Sequence, residues 1–556
     1  MVDDVNRIIT GFALIVFGCT SVVSAQIHEA WTFHTGAVAP NTRASRLAAF
    51  EDTPILAGDR LFVITPYNQV IALDPGSGKP SWTYDPKIKD KEDYSEMTAR
   101  GVVVSGGIVF FGTLDARLIA LRESDGTLLW QSYIRPEPNN GGYQITSPPI
   151  VTHDLVIVGS AIADGRTATA ERGIVNAFDA KTGQKRWSWD PTPKGETGAA
   201  NVWAPMSLDE TRDMVFLPTG SPSPDFFGGT RPGDDKYANS VVALRASTGQ
   251  FLWAFQVVHH DLWDYDVPSR PELVDVQGKP AVAVLTKMGH YFLLDRISGK
   301  PLLPVDERQF PKSDIPGEQA SGTQPVPRSG VFTAQNFSPR PGWCTDQFHK
   351  MRYKGIFTPP SLQGTLEFPG NFGGSNWGSG SYDRTSGLLV VAANRLATAV
   401  RLIPRATFDQ AGHGDTGERW GQEYGPQLGS AYAMSRRTFV DPEGKPCNVE
   451  PWGTVTAIEV ATGKVRWEVP ASVSLGGPLV VDGLVFFGAN VFERTLHVYS
   501  LTDGREIWHT DLPFSAQSVP GTYLWHGRRY VVITAGGHGK IDGSKLGDAV
   551  IAYQIH

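Results

Sequence analysis

Several kinds of redox and binding chemistry are missing from this chain. Only three of its 556 residues are cysteine (Cys19, Cys344 and Cys447), and none lies in a Cys-x-x-Cys-His sequence, so covalently attached haem is excluded. No Cys/His grouping has zinc spacing, and the adjacent His259 and His260 would point apart on a strand. No GxGxxG opens a helix after a strand, and there is no phosphate-binding P-loop. An oxidoreductase built on this sequence therefore needs a cofactor that is neither nicotinamide nor haem. Basic charge is scarce too: the formal net charge of -7 argues against nucleic acid as a partner. Long apolar runs are absent. Ile8 to Gly18 is too short to span a bilayer, and no other stretch approaches the roughly 18 residues of a span, so no transmembrane domain is expected.

The N-terminus reads as a targeting segment. The apolar run ends in the small-residue site Val23-Ser24-Ala25, so residues 1–25 form a signal peptide and 26–556 the mature, periplasmic chain. A second reading makes Val16 to Thr20 a lipoprotein box with a lipid anchor at Cys19. Cleavage leaves Cys344 and Cys447, which in an oxidising compartment form either a disulfide or two separate thiols.

What is abundant is turn chemistry and repetition. The chain has 60 Gly and 40 Pro, as many short strands would require. One pattern recurs: Ala72-Leu73-Asp74 to Trp82, Ala120 to Trp130, Ala177 to Trp187, Ala243 to Trp253, Ala457 to Trp467 and Val498 to Trp508, with a degenerate copy from Leu293 to Leu303 that lacks the Trp. Each copy is a strand end, a tight turn with Gly at a fixed offset (Gly78, Gly126, Gly183, Gly249, Gly299, Gly463, Gly504) and a second strand. With a further strand pair upstream, a repeat is about four strands over roughly 40–65 residues, the size of a propeller blade. The Trp offers a broad apolar plane for docking onto a neighbour. Ser381 to Val391 could supply strands for one more blade, and the termini, Ala30 to Phe33 and Val550 to Tyr553, could pair to close the ring. The expected fold is all-β: one eight-bladed β-propeller with Trp-docking repeats over 26–556. Long loops are expected around 190–240, 305–380 and 395–450, where function tends to reside.

The densest chemical cluster is His259-His260-Asp261-Leu262-Trp263-Asp264-Tyr265-Asp266. A solvated turn gains little from interleaved aromatics. A carboxylate among them can be desolvated and so tuned as a general base. Arg100, Asp164, Glu171, Trp203, Lys287, Asn371 and Trp377 occupy comparable loops of other repeats, which a propeller brings to its axis. Singly, each is more often a packing or surface residue.

These residues resemble a known family. His259–Pro268 (HHDLWDYDVP), Phe348–Pro360 (FHKMRYKGIFTPP), Gly364–Asn371 (GTLEFPGN), Ala535–Gly539 (AGGHG) and Gly547-Asp548 are similar, in order, to the propeller of the membrane-type quinoprotein glucose, quinate and polyol dehydrogenases. The resemblance implies pyrroloquinoline quinone (PQQ) as cofactor with Ca2+ or Mg2+, and oxidation of a secondary or ring hydroxyl. It makes Asp264 the catalytic base and Lys287 the lysine at the quinone oxygens. Trp203 becomes the ring on which PQQ stacks, and Arg100, Ser223, Asn371, Trp377 and Glu493 other cofactor-pocket positions. Asp164, Glu171, Ser221 and Asp264 become the metal-site candidates. Electrons would pass to an external acceptor, ubiquinone or a soluble cytochrome. The chain departs from the pattern at Glu96, where the glucose enzymes carry His, at Gly165, where they carry Asn, and at Ser221, where the alcohol dehydrogenases carry Asn. The alternative is a non-enzymatic propeller scaffold of the outer-membrane assembly lipoprotein type, which needs no Asp–Lys–Trp pocket.

Overall fold

The Ala–Gly–Trp repeat folds as the outer half of an antiparallel sheet. The first residue of each repeat faces its Trp across two strands: Ala72 opposite Trp82, Ala120 opposite Trp130, Ala177 opposite Trp187, Ala243 opposite Trp253, Ala457 opposite Trp467 and Val498 opposite Trp508. In all six the register shifts directly after this pair, and such a bulge sharpens the twist of the outer strand. The turn glycine has positive φ, 71° at Gly126 for example, and also leaves room for its neighbour: a Cβ there would lie 2.6 Å from the Trp82 ring. The Trp82 indole N–H donates to Glu123 O in the same turn at 3.0 Å. Trp31, Trp130, Trp187, Trp253 and Trp467 likewise donate to carbonyls of the following repeat. Where the Leu293 repeat lacks a Trp, the Tyr291 hydroxyl donates to Val460 O at 2.8 Å instead.

This computed structural model describes residues 26–38, 46–88, 94–135, 142–192, 198–411, 423–488, 493–540 and 546–556; segment 1–25, with Cys19, lies outside them. The fold is all-β and propeller-like. Its first sheet is Ile55–Ala57, Arg60–Ile64, Val70–Leu73 and Pro80–Tyr84, hydrogen-bonded in chain order. Three more four-stranded sheets follow, from Val103–Ser105 to Leu128–Tyr133, from Ile150–Thr152 to Lys185–Trp189 and from Ser207–Asp209 to Phe251–Gln256. The next has three strands, Glu272–Val276, Lys279–Leu285 and Tyr291–Asp295, with Leu302 N–H bonded to Leu293 O at 2.7 Å as the trace of a fourth. Gly380–Asp383 and Leu388–Asn394 do not begin a blade of their own, as the sequence suggested. They pair with Gly453–Glu459 and Lys464–Ala471, so one sheet is interrupted by the 395–452 insertion. Leu479–Val481 to Glu506–Asp511 form another, and Gly521–Trp525, Arg528–Ala535 and Ala549–Ile555 take Ile27–His34 as their outer strand, joining the two ends of the chain.

The middle strands are buried on both faces, and their side chains fuse successive sheets. Phe62, Ile64 and Val70 pack with Val109, Phe111 and Ile119 of the second sheet. The last sheet packs on the first in the same way, through Tyr523, Val532 and Ala552 with Leu61, Val63 and Leu73. Each fully buried aliphatic side chain contributes about 1.5–3 kcal/mol.

This strand order also places the loops. Connections into a first strand and connections from second to third strand emerge at one end of the sheets, whereas the Gly turns lie at the other. An extra sheet, Thr365–Glu367, Thr398–Pro404, Tyr432–Thr438 and Glu423–Gly425, is built from the two long insertions and belongs to the same end. Cys344 and Cys447 are joined by a disulfide across 103 residues, linking those insertions.

Candidate active site

Asp264 is carried by the connection between the fourth and fifth sheets, Lys287 by a second-to-third-strand loop, and Arg436 by the extra sheet. They meet although 172 residues separate Asp264 from Arg436. Lys287 Nζ, 4% exposed, donates to Asp264 O at 2.7 Å, to Asp264 Oδ1 at 2.8 Å and to Asp266 Oδ2 at 2.6 Å. Arg436 Nη1 donates to Asp264 Oδ2 at 2.6 Å, and its Nη2 lies 2.8 Å from Glu423 Oε2. Asp264 has φ 56°, a left-handed conformation that Asp tolerates better than most residues and that tends to occur at functional sites.

The rest of HHDLWDYD holds this carboxylate in place. Trp263 and Tyr265 point inward rather than lining a pocket: Trp263 Nε1 donates to Thr358 O at 2.9 Å, Tyr265 Oη to Pro369 O at 2.5 Å, and both rings pack on Phe357. Asp261 is a structural knot, accepting from Ser221 Oγ at 2.5 Å, Asn239 Nδ2 at 3.0 Å and Tyr265 N at 3.0 Å. His260 is tied to Glu318 at 2.8 Å, and His259 to Glu307 at 3.2 Å. Asp266 Oδ1 accepts from Ser221 N at 2.6 Å, which requires glycine at 220: a Cβ there would stand 2.6 Å from that oxygen.

Burial pushes the Asp264 carboxyl above the ordinary aspartate range, opposed by the charges of Lys287 and Arg436 and reinforced by Asp266. Burial pulls the Lys287 ammonium down, but Asp264 and Asp266 overcome this and raise it, so it stays protonated. The half-buried Asp164 is pushed up to about 8, by burial and then by Asp264 and Asp266. Asp225 is raised by burial, then by Asp164 and Asp264; it is 2% exposed, with Oδ1 lacking a hydrogen-bond partner. Acidic groups thus outnumber the two cations, a setting suited to a divalent metal ion.

Arg100 gathers the other wall. Its guanidinium lies 5.2 Å from the Trp203 ring centre and 5.1 Å from that of Trp377, while Lys287 Nζ lies 6.0 Å from Trp203. Arg100 Nη2 reaches Glu51 at 2.9 Å and Glu96 at 3.3 Å. Glu96 in turn binds His538 Nε2 at 2.9 Å. Arg100 Nε and Nη1 and Trp377 Nε1 are buried without hydrogen-bond partners. Buried donors of this kind cost about 1–3 kcal/mol each unless a ligand or water meets them. A flat, multiply anionic cofactor fits this set: its carboxylates match the open Arg100 donors and its plane matches the Trp203 face.

The sequence-derived candidates divide clearly. Arg100, Trp203, Trp377, Lys287 and Asp264 converge. Gly373 packs against Lys287 (a Cβ there would be 2.8 Å from Lys287 Cγ), which brings in the loop carrying Asn371, whose Oδ1 accepts from Thr398 Oγ1 at 2.8 Å. The hydroxyls of Ser221 and Ser223 are spent on Asp261 and on the carbonyls of Asp164 and Thr167. Glu171 and Glu493 stand outside the described Asp264–Lys287–Arg436 network: the Glu171 charge acts on Tyr143, and Glu493 faces His497 at 3.5 Å. Sequence reasoning missed Asp225, Asp266, Glu367, Glu423 and Arg436. Asp266 was legible, two residues from Asp264 in the densest cluster, and Glu367 lies within the Gly364–Asn371 stretch; Glu423 and Arg436 had no local signal.

The PQQ glucose/ethanol/alcohol dehydrogenase β-propeller domain matches residues 20–531. The quinoprotein glucose dehydrogenase of Escherichia coli (strain K12) is 33% identical, the match covering 95% of this chain and 75% of that protein. The quinate/shikimate dehydrogenase (quinone) of Acinetobacter baylyi is 32% identical, covering 96% and 76%. Among solved structures, the quinohemoprotein alcohol dehydrogenase from Comamonas testosteroni has the same fold, with TM-score 0.70 at 21% identity over 95% of this chain and 76% of that one. The chain belongs to the PQQ-dependent glucose/ethanol/alcohol dehydrogenase family. It is a quinoprotein dehydrogenase acting on hydroxyl compounds.

Proposed function

We propose that this enzyme oxidises a secondary or ring hydroxyl of a sugar, polyol or alicyclic alcohol to the ketone or lactone, using PQQ and a divalent cation, Ca2+ or Mg2+, with Asp264 as base. The observation that carries this reading is Asp264 clamped between Lys287 and Arg436 beside the Arg100–Trp203–Trp377 wall. Arg100, Trp203, Trp377 and Asn371 hold the cofactor, while Asp164, Asp225 and Asp264 offer oxygens to the cation. Bound there, PQQ supplies the two-electron acceptor for the hydride and the cation polarises it as a Lewis acid. Asp264 accepts the hydroxyl proton through an oxygen already desolvated by burial. Lys287 and Arg436 keep that oxygen ionised between turnovers, and Lys287 places positive charge where negative charge develops.

The docked sheets are read as the eight blades of one ring. The disulfide supports an oxidising compartment, the periplasm, reached through the 1–25 signal. No described helix is long and apolar enough to cross a membrane. The electrons pass to an external acceptor, ubiquinone or a soluble cytochrome. A scaffold leaves Arg100, Lys287 and Asp264 without a use. The test is reconstitution with PQQ and Ca2+ and reduction of an artificial acceptor across sugars, polyols and linear and cyclic alcohols. PQQ- and metal-dependent reduction is expected; failure to bind PQQ would overturn the reading.

A further inference from the structure

We propose that Glu367, together with Thr438, forms the subsite that binds a second, uncharged hydroxyl of the substrate beside the hydroxyl deprotonated by Asp264, so that this enzyme prefers neutral polyols. The proposal rests on the reading of Asp264 as the base. It starts from the alternation of strand Thr365–Glu367. Leu366 and Phe368 enter the core cluster with Phe337, Cys344, Ala397 and Phe439, which turns Glu367 to the opposite face. Glu367 pairs with Thr398, and Thr398 with Thr438, so the three form a row across the sheet. Arg436, two residues from Thr438 and therefore on the same face, holds Asp264 Oδ2 at 2.6 Å and fixes this row next to the base.

The row is polar and buried, and its two outer members lack partners. Glu367 and Thr438 are each 3% exposed, and Glu367 Oε1, Glu367 Oε2 and Thr438 Oγ1 have no hydrogen-bond partner. Thr398 differs, since its hydroxyl donates to Asn371. A purely structural buried acid normally finds partners, because leaving it unmatched is costly. The two nearby cations are already engaged: Lys287 by Asp264 and Asp266, Arg436 by Asp264 and Glu423. Burial, then the charges of Asp264 and Asp261, push the Glu367 carboxyl well above its usual range. Burial thus favours the protonated carboxyl, both donor and acceptor, and so complementary to a hydroxyl. A carboxylate placed there would add an anion beside Asp264, which disfavours carboxylated rings such as quinate.

The test uses the PQQ- and Ca2+-loaded full chain and compares wild type, Glu367→Gln and Glu367→Leu on cyclohexane-1,2-diol, cyclohexanol and quinate. Diol binding is also measured calorimetrically. Glu367→Leu should lower kcat/KM for the diol by about 10- to 100-fold, mostly through KM and with matching loss of diol binding, while cyclohexanol changes less than about threefold. Glu367→Gln keeps a donor and an acceptor and should retain the diol preference. An equal fall on diol and mono-alcohol, no change on either, or a wild type that prefers quinate to the diol would overturn the subsite alone. A wild type that binds PQQ but oxidises none of these would overturn the base reading and the subsite with it.

Discussion

Replacing Arg436 by Met removes one of the two cations that hold Asp264 ionised and leaves Lys287 in place. At 2.6 Å and an effective dielectric of about 20, the bare attraction between Arg436 and Asp264 is about 6 kcal/mol. The Arg436 side chain is 16% exposed and shared with Glu423, so the net worth is nearer that of a charged hydrogen bond, about 1.5–3 kcal/mol. The Asp264 carboxyl, already raised by burial, rises further when this charge is lost. On the acid side of its titration the ionised base therefore becomes roughly 10- to 150-fold scarcer. The expected result is a kcat/KM profile whose acid limb moves to higher pH while the alkaline plateau stays near wild type. Stability should fall by up to the same roughly 1.5–3 kcal/mol, because Asp264 is buried, whereas Glu423, 46% exposed, keeps its charge in water. The assay is the pH dependence of kcat/KM in the loaded enzyme, with thermal unfolding as control. A loss of the same fraction at every pH, or a limb that does not move, would refute the argument.

Asp264→Asn should still bind PQQ, because the Arg100–Trp203–Trp377 wall is kept, but lose about 10²- to 10⁴-fold in kcat with the base and its charge removed; full turnover would remove Asp264 from that role. Trp203→Ala should weaken PQQ retention, measured by cofactor loss on dialysis, by about 5- to 10-fold, the worth of an aromatic stacking contact; unchanged affinity would exclude stacking there. Reducing the Cys344–Cys447 bond, or Cys447→Ser, frees two insertions closed across 103 residues, a loss of up to about 5 kcal/mol in the chain-entropy account. The melting temperature should fall in reductant for wild type and not for Cys447→Ser; an equal effect of reductant on both would show that the bond does not stabilise the cap.

Much of this was legible because repetition exposes local physics. An Ala opposite a Trp and a Gly of positive φ in the turn are short-range relations, and they recur often enough to be read from the sequence. Asp264 was legible as part of an odd aromatic–acid cluster, and Lys287 only through the family resemblance. The blade boundaries at 380–471 were not. One sheet there is split by the 395–452 insertion, so its inner strands looked like an extra blade and the closing sheet had to come from the two termini. Sequence by itself therefore determined the repeat and the all-β class, and it pointed to Asp264 and Lys287 through the acid–aromatic cluster and the family resemblance. Tertiary structure alone decided what surrounds Asp264: Arg436, 172 residues away, has no local pattern, and Glu367, inside the Gly364–Asn371 stretch, is turned from the core only by its strand's alternation. Charge pairing and desolvation act through space, and only the folded insertions set those distances.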